Sequence, residues 1–365
     1  MMLWNRLQSA SPSFMWDESK LLRAEWLFLS EAGLTMGAAR RLTADEQGAL
    51  VVTGLARNAL SSMEIDGDLL DADRMQASVR RCMGLSFDTA DDGDPPAEAA
   101  PASLAVDILR QRDRVPDIAM IEEWLGRLAF PGHPGSDRKT PALPVFLGEK
   151  KREELRPFLQ WLKSAFYETD AASASPLLHA GLAHLWFESI HPFPAFAGVL
   201  GRAFAEKTLT RCLPGVNYIP LSLVFLKRRH EYHCAIDEAC RDRDATPWLL
   251  FFAAAAVETV RQCRAMIRYI AEGRALLETL QGSIGRRQML VVRHLLSRSP
   301  ERFAEGTTRA HYAALTGAAE KLAGRELSAL SSAGALRRSV RCGTVRYILN
   351  MTPPRVHSVS IQEIL

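Results

Sequence analysis

Apolar residues recur at three- and four-residue intervals through most of this 365-residue chain, and no strand-rich segment or internal repeat interrupts them before the last quarter. Such spacing lines one face of a helix and excludes a sheet-dominated fold. Asp17 can cap a helix carrying Leu21, Leu22, Trp26 and Leu29 at helical spacing. Thr43-Ala44-Asp45-Glu46 has the spacing of a capping box, and Asp71 opens a third helix that Gly84 stops. Further helices are expected over 117–129, 151–167, 176–189 and 198–211. Thr246-Pro247, an N-cap followed by a first-turn proline, opens a long helix reaching Leu280. Its most apolar run, Trp248 to Val257, is too short to cross a bilayer. The fold class expected is mainly α, a helical bundle.

Composition narrows the class further. With 47% apolar and 24% charged residues the chain is an ordinary globular one of two or three domains, not a disordered, collagenous or disulfide-stapled one. The six cysteines form no C-x-x-C pair and read as reduced thiols, and Met1 to Phe14 lacks the apolar core of a signal peptide, so a cytoplasmic location away from membranes is expected. The total charge of +3 hides a division: residues from Gln281 onward carry +8 and those before it −5.

That basic end changes character. Thr308 to Leu315 and Lys321 to Ser331 read as two short helices joined at Thr316-Gly317, and two strands, 335–340 and 344–349, follow across a Cys342-Gly343 turn. Helix, helix and β-ribbon in that order describe a winged helix. Lys321 and Arg325 would then lie on the recognition helix and Arg337, Arg338, Arg341 and Arg346 on the wing, making DNA a candidate partner. The plainer alternative is a module that packs on protein and uses its arginines for solubility.

The motif that carries chemistry is Ile190-His191-Pro192-Phe193-Pro194-Ala195-Phe196-Ala197-Gly198-Val199-Leu200-Gly201-Arg202, set between two apolar helices. It resembles the H-P-F-x-[D/E]-G-N-G-R-x-x-R signature of the Fic family, and Leu182 to Phe187 and Gly201 to Ala205 resemble the flanking helices. Ser62-Met63-Glu64-Ile65-Asp66-Gly67 is similar to the family's S-x-x-x-E-G inhibitory helix, with Asp66 in the Glu position. Arg228 to His233 resembles a segment beside the family's active site. The resemblance implies a helical domain at 1–87, an acidic flexible linker at 88–101, a Fic-like core at 102–280, a winged helix at 281–352 and a tail at 353–365.

What the resemblance implies divides by residue. The family transfers AMP from ATP to a protein hydroxyl; His191 holds the place of its general base, and Gly198 and Arg202 those of nucleotide-binding residues. Ser62, Asp66 and Gly67 hold the inhibitory positions, with an Asp66–Arg202 ion pair expected. The acid that anchors Mg²⁺ is replaced by Ala195, the phosphate nest reads Phe196-Ala197-Gly198, and the first motif arginine is Val199. The family's flap looks shortened at 144–148. Two readings follow: a degenerate, weak or inactive protein with a regulatory role and no cofactor, or a transferase that uses ATP and Mg²⁺ on a protein target. The family's frequent homodimerisation is a further expectation. No metal ligands are assigned; the alternative of His230, His233, Cys234 and Cys240 around a metal is less favoured than a packing role, as it is for His179 and His184. No P-loop, dinucleotide fingerprint or H-E-x-x-H occurs.

Overall fold

Caps set the helix boundaries largely where the sequence marks them. The structure, a computed structural model, describes residues 14–85, 96–129, 147–168, 175–193, 195–213, 219–241, 243–297, 300–341, 343–352 and 356–365. Helices α1 (Glu18–Ala39), α2 (Ala44–Asp66) and α3 (Ala72–Met83) open the chain. The Thr43 box closes reciprocally: Thr43 N–H donates to Glu46 at 2.8 Å and Glu46 N–H to Thr43 Oγ1 at 3.3 Å. Asp71 caps α3 through the Arg74 N–H at 2.8 Å, and Gly84, in the left-handed region, ends it.

Then come α4 (Ala99–Arg110), α5 (Ile118–Leu128, capped by Asp117), α6 (Glu149–Leu162) continued by a π-turn at Lys163–Tyr167, α7 (Pro176–Ile190) and α8 (Ala197–Cys212). Next are α9 (Leu221–Lys227), α10 (Arg229–Arg241) and the 35-residue α11 (Thr246–Leu280). The chain ends with α12 (Arg286–Ser297), α13 (Arg309–Thr316), α14 (Glu320–Ser332), strands β1 (Leu336–Arg341) and β2 (Thr344–Leu349), and α15 (Ile361–Ile364). The fold is therefore mainly α, as expected.

Two differences from the sequence reading are informative. Helix α4 lies where the sequence marks no helix: the acidic linker expected over 88–101 overlaps it, since Ala99 to Pro101 already belong to the helix, whose Leu104 and Ile108 are buried. Residues 86–95 of that linker, and 130–146 with most of the flap, lie outside the described residues. In α1 the helix is right but its face is turned. Leu21, Ala24, Phe28, Ala32 and Thr35 are buried, whereas Leu22, Trp26 and Leu29 are exposed.

The chain divides into two units: residues 1–37, 47–263 and 357–365 form one, and 38–46 with 264–356 the other. In the first, α7 and α8 form an antiparallel hairpin buried on nearly every side. The apolar run of α11 explains itself here, since Trp248, Phe252 and Val257 are buried in one core. A second core stacks rings edge to face, Phe158 on Phe204 at 5.3 Å and on Phe187 at 5.7 Å. The expected tail is part of this unit: Val359 and Ile364 are buried in the first core, and the Val359 carbonyl accepts from Arg228 at 3.1 Å.

In the second unit α12, α13 and α14 pack on an antiparallel hairpin in which Leu336 pairs with Leu349. Thr307 adds a bridge to Tyr347, with N–H to carbonyl bonds of 2.8 Å in both directions. Within the same unit Arg274 of α11 reaches Glu46 at 2.8 Å and so holds the 38–46 segment.

A buried polar network ties α2, α8 and α9. Asn58 Nδ2 donates to Glu206 at 2.8 Å, Ser222 Oγ donates to the other Glu206 oxygen at 2.8 Å, and the Ser222 N–H donates to Asn58 Oδ1 at 2.9 Å. Burial pushes the Glu206 carboxyl from 4.5 up to about 7, against the lowering effect of these bonds. Between those pH values the native state keeps a proton that the unfolded chain has released, so stability falls as pH rises through this window. Glu206→Gln keeps the shape and removes this contribution, on the order of 3 kcal/mol for a shift of this size. The expected outcome is a wild-type denaturation midpoint that drops more steeply between pH 4.5 and 7 than that of the variant, measured by urea unfolding.

Candidate functional site

The junction between α7 and α8 is built from two non-glycine residues in the left-handed region. His191, at φ 43°, ends α7 and donates its N–H to the carbonyls of Phe187 and Glu188 at 3.2 and 3.0 Å. Phe196, at φ 61°, precedes α8 with no side-chain cap. Each such residue costs about 1–3 kcal/mol, so the surrounding packing must impose the shape. Phe193 is buried against Phe187, and Phe196 packs on the same core. Phe196 thus holds a backbone conformation that favours glycine.

One turn into α8 stands Arg202, 1% exposed. A buried guanidinium needs a partner for its donors, and four come from two other helices. Nε donates to Ser62 Oγ at 2.9 Å, Nη2 to the Ser62 carbonyl at 2.8 Å and Nη1 to the Tyr232 hydroxyl at 3.3 Å, and Nη2 stands 3.1 Å from Asp66 Oδ2 as an ion pair. The expected Asp66–Arg202 pair is therefore a direct one; the end of α2 lies close enough for the shorter side chain. Gly67, at φ 102°, turns the chain out of α2 just beyond it. Burial alone would lower the Arg202 pKa, but Asp66, Tyr232 and Glu188 more than offset it and hold the group firmly charged.

Behind Arg202 the network continues. Tyr232, of α10, accepts from Arg202 and shares a hydrogen bond of 3.1 Å with His184 Nε2. His184 Nδ1 has no hydrogen-bond partner among the described residues. Burial, then the Arg202 charge, hold His184 well below its usual pKa, and it is neutral. Burial raises Glu188, one turn on, to about 7. Gly201 makes this approach feasible: a Cβ there would stand 3.0 Å from the His184 ring.

Gly198 is equally constrained. A Cβ on it would lie 3.1 and 3.2 Å from the Asp66 carboxylate oxygens and 3.0 Å from Arg202 Nη1. The Asp66 carboxylate therefore lies against the first turn of α8, where the helix dipole favours negative charge. The structure thus brings Ser62, Asp66, Gly198 and Arg202 together, with His191 half-buried at the other end of the junction. Tyr232 and His184 complete the cluster; the sequence carried Tyr232 only within the Arg228–His233 segment and His184 as a packing residue.

The residues present do not fit Mg²⁺. Ala195 offers no side-chain oxygen, and among the described residues no group of three His, Cys, Asp or Glu side chains could hold a metal ion. His230 Nε2 lies 3.8 Å from Cys234 Sγ, while Cys240 is buried in the core.

In the second unit Lys321 and Arg325 are exposed on α14, one turn apart, and Arg337 and Arg338 are exposed on β1. Arg341 ends β1; Arg346, on β2, is half-buried and donates to the Glu305 carbonyl at 2.8 Å.

Comparison with known proteins gives one family model and several solved structures. Residues 4–85 match the family described as a domain of unknown function, DUF4172. No curated protein matches the chain. Solved structures that align include a Fic family protein from Desulfovibrio desulfuricans G20, at 18% identity and TM-score 0.47 over 89% of this chain and 95% of that one. Fic-1 of C. elegans, residues 134–508, aligns at 16% identity and TM-score 0.47 over 65% of this chain and 70% of that one. Identities at this level assign no role to any residue.

The hydrogen bonds around Arg202 make a stability prediction. Arg202→Met leaves Asp66 and Ser62 facing an apolar chain and should cost about 3–5 kcal/mol. Tyr232→Phe strips a partner from both Arg202 and His184 and should cost about 1–3 kcal/mol. Asp66→Asn should cost least, because its carboxylate is partly exposed and Ser62 and Tyr232 still hold the arginine. Urea denaturation of the three variants checks the order.

Proposed function

We propose that this chain is a Fic-type protein whose nucleotide site is closed and largely dismantled, and that it works as a regulatory or binding protein in place of an efficient transferase. The observation that carries the reading is Asp66: its carboxylate sits on Arg202 and against Gly198, where an entering phosphate would need both groups. Ala195 removes the metal anchor and Phe196 puts a ring where backbone would approach phosphate. His191 alone could supply base catalysis of about 10²- to 10⁴-fold, without the larger electrostatic share.

The second reading is an autoinhibited transferase of AMP, or of another phosphate-containing group, with His191 taking a proton from a protein Ser, Thr or Tyr hydroxyl. What favours it is the joint retention of His191, Gly198 and Arg202 with the left-handed backbone at Phe196. Calorimetry with ATP, with and without Mg²⁺, separates the two on wild type and Asp66→Gly. The first reading expects no heat from either folded protein. Binding that appears in Asp66→Gly, followed by label transfer lost in His191→Ala, would establish the second.

For the second unit we propose a winged-helix arrangement that contacts DNA through Lys321, Arg325, Arg337, Arg338, Arg341 and Arg346. The support is a helix–helix–hairpin order with Lys321, Arg325, Arg337 and Arg338 exposed. Phosphate contact predicts affinity that falls steeply with salt and falls again in Arg325→Ala with Arg338→Ala. Fluorescence anisotropy with duplex DNA measures both, and absence of binding at low salt would remove this part of the reading.

A further inference from the structure

Two acidic side chains face the buried Arg202 guanidinium, and they are held differently. Asp66, 3.1 Å from Nη2, keeps 28% of its side chain in water. Glu188, on α7, is 8% exposed, and among the described residues its carboxyl accepts no hydrogen bond. Its Oε1 lies 3.9 Å from His184 Nε2, and a Cβ on Gly201 would stand 3.3 Å from the same oxygen, so α8 closes over it. The charged and titratable groups that face it are Arg202 from α8, Asp66 from α2, Asp237, Tyr232 and Cys240 from α10, and His184 from its own helix. A carboxyl out of water and without donors favours its neutral form, while a guanidinium beside it favours the charged one. Burial is the larger effect, Arg202 opposes it, Asp66 and Asp237 add to it, and the carboxyl titrates at about 7.

Ionisation of Glu188 changes what Arg202 needs. While Glu188 is neutral, Asp66 is the main formal counterion of the guanidinium. Once ionised, Glu188 adds a second carboxylate that attracts Arg202 and repels Asp66. We propose that Glu188 is a second, internal counterion of Arg202 and that its protonation sets how tightly Asp66 closes the site, tightly with Glu188 neutral and more loosely with it ionised. Regulation of this kind rests on the Asp66–Arg202 contact being what closes the site. The coupling is reciprocal: Asp66 favours protonated Glu188 by as much as ionised Glu188 weakens the Asp66 contact. Between pH 4.5 and about 7 native Glu188 keeps a proton that the unfolded chain has released, so its contribution to stability is full below 4.5 and is lost as pH rises through about 7. Without Asp66 the native carboxyl titrates at a lower pH and the loss is smaller. The cost of removing Asp66 is therefore greatest at the acid end of this window.

Urea unfolding of the full chain at pH 5.5 and pH 8.5 tests the coupling. The cost of Asp66→Asn should be roughly threefold to tenfold larger in the folding equilibrium at pH 5.5, the factor that a displacement of about 0.5–1 pH unit in the Glu188 titration supplies. Glu206 titrates in the same range but is common to both proteins and cancels from the difference. His233 does not cancel, because Asp66 also acts on it, so each comparison is made in a His233→Gln background. Glu188→Gln, which keeps the side chain's size and removes its charge, should make the Asp66→Asn cost equal at the two pH values. Carbon-13 NMR of glutamate-labelled protein reads the same coupling without unfolding: the carboxyl resonance that Glu188→Gln removes should titrate near pH 7 and shift to lower pH in Asp66→Asn. Equal costs at both pH values, a pH dependence that survives Glu188→Gln, or a Glu188 titration indifferent to Asp66 overturns the proposal. Neither readout involves a nucleotide, so the calorimetry that decides the closed-site reading is answered separately.

Discussion

The first unit is organised around one buried positive charge. Moving a guanidinium out of water costs several kcal/mol unless its donors are matched, and Arg202 finds matches only if three helices stop in fixed places. The end of α2 brings Ser62 and Asp66, α10 brings Tyr232, and α7 brings His184 behind it. A one-residue slip of α8 would turn Arg202 by about 100° and away from every one of these partners. The glycines at 198 and 201 belong to the same constraint, because each lies where a Cβ would press on Asp66 or His184. The charge therefore sets register, in a hairpin whose apolar residues alone, buried on nearly all sides, could tolerate several.

The parts of this arrangement readable in the sequence are those with local causes. Thr43 with Glu46 and Asp71 with Gly84 mark their helix ends through hydrogen bonds spanning three or four residues, and the structure has those ends; the expected cap at Thr246 is different, since Thr246 already belongs to α11 and its hydroxyl accepts from the Asp17 N–H at 3.0 Å. Helix α4 escaped because Pro101 and the acidic stretch before it look like linker, although Leu104 and Ile108 carried helical spacing. Ser62 and Arg202 stand 140 residues apart, and no periodicity joins them; only the resemblance to a known motif did. The Asn58–Glu206–Ser222 network had no such aid, since nothing in a single chain shows which polar residues on different helices will share a buried site. Helix α1 shows a different limit: with apolar residues on two faces, spacing defines the helix and leaves open which stripe is covered.

The junction at 191–198 separates two things a motif normally holds together, its backbone path and its chemistry. The path here is a matter of packing: His191 and Phe196 both take left-handed conformations, and Phe193 and Phe187 pack beneath. A phenylalanine accepts that conformation at a cost of about 1–3 kcal/mol only because the α7–α8 hairpin over-determines the turn. On the reading proposed here, the chemistry would need atoms that packing does not supply, namely an acid oxygen at 195 and an unobstructed approach to the amides of 196–198. Scaffold and reactivity therefore answer to different residues, and the first can be kept by core packing while the second is lost.

That separation bears on the Asp66–Arg202 pair. Where a metal and nucleotide bind, a carboxylate on the phosphate-binding arginine is a competitor, and its value lies in being displaced. On the reading proposed here, Ala195 gives no anchor for Mg²⁺, no ligand of comparable charge arrives to displace the carboxylate, and the pair is the permanent counterion of a buried cation. Removing Asp66 in such a protein does not open a productive site; it leaves Arg202 charged, desolvated and short of one acceptor. On the reading proposed here, the contact that regulates a working enzyme has become part of what holds α2 against α8, and its persistence reports on the fold more than on the reaction.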